Sequence, residues 1–349
     1  MSAFYKLTVS EVKKETPNSV RITLNIPAEV SEEFRFTPGQ YITLKHNHNG
    51  SEVRRAYSIC SSPGSGKFSI GVKKVKKGAF SVYANTDLKA GDTLEVMPPE
   101  GNFTLHTDPE HSKNYLALAA GSGITPILSL ITSVLEEEPK STFSLIFGNQ
   151  SLEETMFAGE IEDLKALYPE RFFVEYIFSR RKEDFGLVGR IDRSTTNYLL
   201  KNKFGRSEFD AYYLCGPEEM IDTITGLLRE KGVSENAIHF ELFSTSVEGV
   251  LEEAHDGFTK VTVTLDDDTQ TFTMPQDTSV LEACLDHGLD APYSCQGGIC
   301  STCIARLTEG KAEMRKNQIL TDAEIAEGLI LTCQAHPSTP TIGIDYDDV

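Results

Sequence analysis

The rhythm of hydrophobic and polar positions divides this chain into segments of different kind. Over residues 1–108, apolar and polar residues alternate in short runs such as Val20–Ile26 (VRITLNI) and Tyr41–Lys45 (YITLK), the period of a half-buried strand. Turn-forming clusters separate the runs: Thr37-Pro38-Gly39, Ser62-Pro63-Gly64, Ala90-Gly91-Asp92 and Pro98-Pro99-Glu100-Gly101. Short strands punctuated this closely predict a small β-barrel. From 109 to 243 the runs Tyr115–Ala120, Phe143–Phe147, Phe172–Phe178 and Ala211–Cys215 are predominantly apolar, and helical patterns over Pro126–Leu135 and Glu218–Lys231 alternate with them. That alternation predicts a doubly wound α/β domain. Residues 244–258 are acidic and poor in core residues, as suits a linker. Residues 259–349 return to strands with one short helical run, Val280–Leu285, and predict an α+β domain.

Tyr115–Leu135 holds 21 residues without a charge, the length of a membrane span. Gly121-Ser122-Gly123 and Thr125-Pro126 interrupt it, so strand, turn and helix is the better reading. The N-terminal MSAFYKLTVSEVKKETP shows no basic segment leading into an apolar one, so no secretory signal is read and the chain is expected in the cytoplasm, off the membrane. A length of 349 residues suits two or three domains. The net charge of −19 removes the phosphate neutralisation on which nucleic-acid binding depends. The charge is uneven: residues 1–108 carry 14 basic and 11 acidic side chains, residues 259–349 only 5 basic against 15 acidic. Seven cysteines are an odd number in a chain too large to need disulfide staples, which leaves metal, redox or buried-thiol roles.

Four of the seven carry the most specific signal. Cys295-x4-Cys300-x2-Cys303, with Cys333 following after 29 residues, has the spacing of a plant-type [2Fe–2S] site. The interleaved Ser294, Gly297, Gly298, Ser301 and Thr302 are small enough for the loop to wrap a cluster and aim backbone N–H groups at sulfur. A zinc site is the alternative, but zinc ribbons use two CxxC knuckles and this segment has one. Cys284, in the helical run, and Cys60, after a strand, read as core.

Other motifs lie at strand ends. Arg55-Ala56-Tyr57-Ser58 offers a guanidinium fork for a diphosphate, a ring to lie on a ring system and a hydroxyl donor. Gly78-Ala79-Phe80-Ser81 opens a helical segment whose free N–H groups suit a phosphate; a plain turn and cap is the alternative. Gly121-Ser122-Gly123-Ile124-Thr125-Pro126 joins strand to helix where a dinucleotide pyrophosphate is received, although it is not the GxGxxG fingerprint. Cys215-Gly216-Pro217 places a thiol at the carboxyl edge of the sheet, unless that cysteine is merely buried. Ser179-Arg180-Arg181 follows a strand and reads either as a phosphate clamp or as solvated loop charge.

Together RAYS, GAFS, GSGITP, CGPEEM and the cysteine spacing, in this order, resemble the ferredoxin-NADP⁺ reductase superfamily, in the subgroup with a plant-type ferredoxin at the C-terminus. The resemblance covers essentially the whole chain. It implies an FAD-binding β-barrel over 1–108, an NAD(P)-binding α/β domain over 109–243 and a β-grasp ferredoxin over 259–349. It further implies that Arg55, Ala56, Tyr57, Ser58, Val72, Lys73, Gly78, Ala79, Phe80 and Ser81 hold FAD. Gly121, Ser122, Gly123, Thr125, Pro126, Ser179, Arg180, Cys215, Gly216 and Pro217 would receive the pyridine nucleotide, NADPH rather than NADH because of Ser179-Arg180. Gln150, where relatives often carry another arginine, weighs towards NADH. Ser58, Cys215 and Phe243 would be catalytic, with Phe243 covering the flavin, and Cys295, Cys300, Cys303 and Cys333 would ligate the cluster. The implied activity is electron transfer from NADPH through FAD and [2Fe–2S] to the oxygenase component of a multicomponent system. The segments most resemble reductase subunits of phenylacetyl-CoA epoxidases, which serve a di-iron oxygenase in phenylacetate degradation. Reductases of Rieske oxygenases or 3-ketosteroid 9α-hydroxylases are the alternative, and a non-enzymatic carrier or redox sensor is the alternative of a different class.

Overall fold

The computed structural model describes residues 4–48, 50–180, 183–205, 208–243 and 257–349. Arg181 and residues 244–256 of the expected linker lie outside that set. Two compact units result, Phe4–Phe243 and, as described, 257–349.

In the first unit, β1 (Tyr5–Thr16), β2 (Ser19–Asn25), β3 (Tyr41–His48), β4 (Ser51–Ser58), β5 (Phe68–Lys73) and β6 (Thr93–Val96) form an antiparallel sheet in the order β4-β3-β6-β1-β2-β5. A bridge between Ile59, just past β4, and Ile70 of β5 joins the two edges and closes the barrel. The interior is built from the inward half of each alternating run, including Leu7, Ile22, Ile42, Leu44 and Val72, and helix α1 (Ala79–Thr86) contributes Phe80 and Ala84 to it. Filling by side chains makes this a packed core, as expected of a small barrel.

The α/β part follows with β7 (Asn114–Ala120), α2 (Ile124–Glu137), β8 (Thr142–Asn149), α3 (Ala158–Leu167), β9 (Phe172–Phe178), β10 (Leu187–Val188), α4 (Arg193–Asn202), β11 (Ala211–Gly216), α5 (Glu218–Glu230) and β12 (Ile238–Leu242). Its strands are parallel in the order β10-β9-β8-β7-β11-β12. The order reverses between β7 and β11, and such a switch point opens a crevice at the carboxyl ends of the strands. The uncharged stretch Tyr115–Leu135 is β7, a tight turn and α2, and among the described residues no helix is long and apolar enough to cross a membrane.

Barrel and α/β part are tied by side chains. Arg21 of β2 stacks on Phe157 at 4.6 Å, pairs with Glu15 at 3.1 Å and reaches Glu160 of α3. Glu138, fully buried at the end of α2, accepts from Tyr115 Oη at 3.0 Å and Asp108 N at 3.2 Å and meets His111 Nδ1 at 2.9 Å. A buried carboxylate with that many partners is a junction rather than a liability.

The second unit holds β13 (Phe258–Leu265), β14 (Asp268–Pro275), α6 (Val280–Asp286), β15 (Ile304–Glu309), β16 (Ala312–Met314), α7 (Asp322–Ala326), β17 (Leu329–Leu331), β18 (Ala335–Pro337) and β19 (Thr341–Asp345). Its main sheet runs β14-β13-β19-β15-β17, parallel only between β13 and β19. Strand β13 starts at Phe258, inside the stretch expected as linker. Helix α6 is capped by Ser279, whose side chain accepts from Glu282 N, and it buries Val280, Leu281, Ala283 and Cys284 in the core.

Candidate functional site

The crevice at the switch point is built by close backbone approach. Gly121–Gly123 form a single 3₁₀ turn between β7 and α2. A Cβ on Gly123 would lie 2.2 Å from the Cys215 carbonyl oxygen, and one on Gly216 would lie 3.0 Å from Ala120 Cβ. Only glycine lets the two strand ends converge there. Thr125 is buried and donates to Ser122 O at 3.0 Å, so its hydroxyl shapes the turn; Pro126 is buried in the first turn of α2.

A cleft of about 470 Å³ opens from this turn, lined by Lys73, Gly121, Ser122, Asn149, Gln150, Ser179, Arg180, Arg190, Pro217 and Thr223, among others. That volume falls in the range of small-molecule sites. Ser179 donates through N and Oγ to Asn149 O at 2.9 and 3.2 Å, which fixes the loop after β9 and leaves Arg180 exposed. Arg190, which follows the two-residue strand β10, faces the same cleft and is absent from the sequence-based set. A lone arginine in a loop has no period to betray it.

At the flavin motifs the pair Arg54-Arg55 separates by strand alternation. Arg54 is buried, pairs with Glu52 at 2.9 Å and stacks on Phe4 at 4.9 Å. Arg55 is exposed, its Nη1 donating at 2.6 Å to Arg54 O, and its fork is available to a diphosphate. Ala56 is half-buried, and Tyr57 lies 5.4 Å from Phe80. Phe80 points into the barrel core, and Ser81 Oγ accepts from Val75 N at 3.1 Å. The Gly78–Ser81 segment therefore offers its backbone, not these side chains: Gly78 caps α1 without a side-chain bond, leaving the first N–H groups free for phosphate oxygens. Val72 is core, while Lys73 Nζ comes within 3.4 Å of a Cβ placed on Gly121 and lines the cleft at that turn.

Ser58 and Cys215 are brought together by a residue the sequence reading passed over. Ser58 Oγ donates to Glu241 Oε2 at 3.0 Å, and Glu241 on β12 stands in register with Cys215 on β11. Burial pushes the Glu241 carboxyl up to about 8, against the pull of the Ser58 hydrogen bond. Burial, with Glu241 adding to it, holds the Cys215 thiol well above its ordinary value, so it stays protonated. Phe243, just past β12, is 37% exposed and free to lie on a planar group.

In the second unit the four cysteines converge in two pairs. Cys300 Sγ lies 3.0 Å from Cys295 Sγ, and Cys303 is hydrogen-bonded to Cys333. Within each pair the shared hydrogen bond lowers one thiol, Cys295 to about 6 and Cys333 in the same direction, and raises its partner. Among the described residues no three His, Cys, Asp or Glu side chains surround one point. Two thiol pairs, each within hydrogen-bond distance, could supply two thiolates to each of two irons. Gly297 N donates to Cys295 Sγ at 3.3 Å, and Ser294 Oγ is buried without a partner beside the loop. Gly298 adopts φ +70°, with Lys316 O only 2.7 Å from where a Cβ would stand. The residues fit a [2Fe–2S] group.

Comparison with known proteins identifies three family domains in this chain. Residues 6–105 match an oxidoreductase FAD-binding domain, 117–225 an oxidoreductase NAD-binding domain and 263–338 a 2Fe-2S iron-sulfur cluster binding domain. One subunit of the 1,2-phenylacetyl-CoA epoxidase of Escherichia coli K12 is 40% identical over 99% of both chains. The chain belongs to the ferredoxin-NADP⁺ reductase superfamily, in the branch with a C-terminal [2Fe–2S] domain. It is an NAD(P)H-dependent flavin and iron–sulfur oxidoreductase of the kind that serves oxygenases. Within the same branch, the ferredoxin reductase component of the 3-ketosteroid-9-alpha-monooxygenase of Mycolicibacterium smegmatis is 32% identical, covering 98% of this chain and 97% of that one. The solved structure of phthalate dioxygenase reductase shares the fold, with a TM-score of 0.61 at 24% identity over 98% of each chain.

Proposed function

We propose that this chain is the reductase of a phenylacetyl-CoA epoxidase, taking electrons from NADPH and delivering them through FAD and a [2Fe–2S] cluster to the epoxidase's oxygenase component. The observation that carries the acceptor is the 40% identity to a phenylacetyl-CoA epoxidase subunit over 99% of both chains, against 32% for a ketosteroid monooxygenase reductase. The test is reconstitution: NADPH-driven epoxidation of phenylacetyl-CoA by the oxygenase component of a phenylacetyl-CoA epoxidase, with the chain as sole reductase. A neighbouring Rieske oxygenase that it serves instead overturns the proposal.

When bound, FAD takes two electrons as a hydride and gives them up singly, and the cluster carries one at a time. The protein's part is placement. Arg55 and the first N–H groups of α1 fix a diphosphate. The Gly121–Gly123 turn and Pro217 bring the nicotinamide half of the nucleotide towards Ser58 and Cys215. Ser58 and Glu241 keep a proton at the carboxyl oxygen beside that point, and Phe243 shields it from water. Arg180 and Arg190 face the nucleotide's 2′-phosphate. Arg180→Ala is expected to raise KM for NADPH about 10- to 100-fold and to leave NADH nearly unchanged, because a guanidinium–phosphate pair is charge-assisted. Equal losses with both nucleotides would show that Arg180 does not discriminate.

Delivery to the oxygenase is electrostatically steered. The 15 acidic against 5 basic residues over 259–349 give the cysteine-bearing domain a strong negative charge, which draws a basic docking face. Electron transfer to the oxygenase therefore slows several-fold between low and about 0.5 M salt, where the Debye length drops to a few ångströms. A rate indifferent to salt removes the steering term.

A further inference from the structure

The loop Cys295–Cys303 and the segment bearing Cys333 are separated by 29 residues of sequence, yet their thiols must meet at one cluster. Gln334 joins them. Its Nε2 donates to Gln296 O at 3.0 Å and to Cys333 O at 3.1 Å, so one amide holds a carbonyl from each ligand-bearing segment. The residue is itself anchored: its N donates to Leu331 O at 2.9 Å, and its O accepts from Arg315 N at 3.0 Å. Its stem lies under the loop, with Gln334 Cγ 3.0 Å from where a Gly298 Cβ would stand. Gln296 takes φ +53°, a left-handed conformation that costs a non-glycine residue free energy. The strain is tolerated where the surrounding structure over-determines the backbone, and the bond from Gln334 is part of that structure.

We propose that Gln334 is a positioning residue whose amide clasps the Cys295–Cys303 loop to the Cys333 segment and thereby sets the cluster's reduction potential and its lifetime in the protein. The inference rests on the four cysteines being the cluster ligands. Two carbonyl oxygens next to a centre that gains negative charge on reduction oppose that reduction; the amide N–H₂ between them offsets their dipoles. Losing it leaves the reduced form less stabilised and the loop freer to open.

Gln334→Met keeps the stem beneath Gly298 and removes both donors. In the full-length holoprotein, its cluster is expected to bleach about tenfold faster under a chelator, in line with the usual cost of losing an outer partner of a metal ligand. Its midpoint potential moves to more negative values. Flavin content and NADPH–ferricyanide activity stay at wild-type levels and report on the Phe4–Phe243 unit. Wild-type potential and bleaching rate in Q334M overturn the clasp. Should Q334M take up no cluster, Gln334→Glu, which keeps the stem and the fork but places no N–H₂ between the two carbonyls, gives the same two readouts, and wild-type values there overturn it equally. A wild-type protein without iron or labile sulfide refutes the ligand assignment instead.

Discussion

A Cys333→Ser variant is expected to reduce ferricyanide from NADPH at close to the wild-type rate while its delivery of electrons to cytochrome c or to the oxygenase falls more than about 100-fold, since even outer-shell losses at metal sites cost 10–100-fold. The asymmetry follows from the fold. Cys333 belongs to the 257–349 unit, whereas Ser58, Glu241 and the nucleotide cleft lie within Phe4–Phe243, so the hydride-accepting half is left intact. Cys333 and Cys303 form the second of two thiol pairs, and a hydroxyl in place of one thiol leaves one iron with a single sulfur from the protein. The measurements are iron and labile-sulfide content, the visible spectrum and the two acceptor rates on one preparation. A variant that keeps both the cluster spectrum and the cytochrome c rate overturns the assignment of Cys333 as a ligand. Loss of both acceptor rates points to a folding defect rather than to the missing cluster.

The parts legible in the sequence are those whose chemistry is local. Cys295, Cys300 and Cys303 sit on one loop, so their spacing alone raises the expectation of a cluster, and the small residues between them that of a tight wrapping. Period-2 runs announce the barrel strands, and GSGITP announces the strand–turn–helix at the switch point, because glycine is required where backbones approach. What escaped depends on tertiary register. Glu241 is an ordinary acid in Phe240-Glu241-Leu242-Phe243 until β12 pairs with β11 and faces Ser58, 183 positions away. Arg190 is visible only once the short β10 joins the sheet edge and turns its loop into the cleft. The inward direction of Phe80 and the tie from Ser81 to Val75 N leave the backbone N–H groups, already legible from a glycine before a helical run, as what Gly78–Ser81 can offer a phosphate.

The second large effect is expected from Glu241→Gln: flavin reduction by NADPH, which consumes one proton besides the hydride and is followed by stopped-flow loss of flavin absorbance, slows by about 100-fold, the lower end of what a positioned acid–base group contributes. The amide preserves the shape and an acceptor for Ser58 but cannot release or take up a proton at that oxygen. The pH dependence gives a second, independent reading. Burial raises the folded-state carboxyl to about 8 from an ordinary 4.5. Between those values the folded protein keeps a proton that the unfolded chain has shed, so this group's contribution makes stability fall as pH rises from about 4.5 to about 8. Below that window both states are protonated and above it both are ionised, so the slope vanishes at each end. Glu241→Gln removes the titration; its melting temperature should therefore decline less than that of the wild type between pH 5 and pH 9, and the fall in the wild-type hydride-transfer rate through pH 8 should disappear. A variant with undiminished hydride transfer and the wild-type pH slope in both measurements would place the proton elsewhere. Ser58→Ala then separates the partners: it removes the hydrogen bond that holds the carboxyl down, so the wild-type transition shifts to higher pH instead of being abolished.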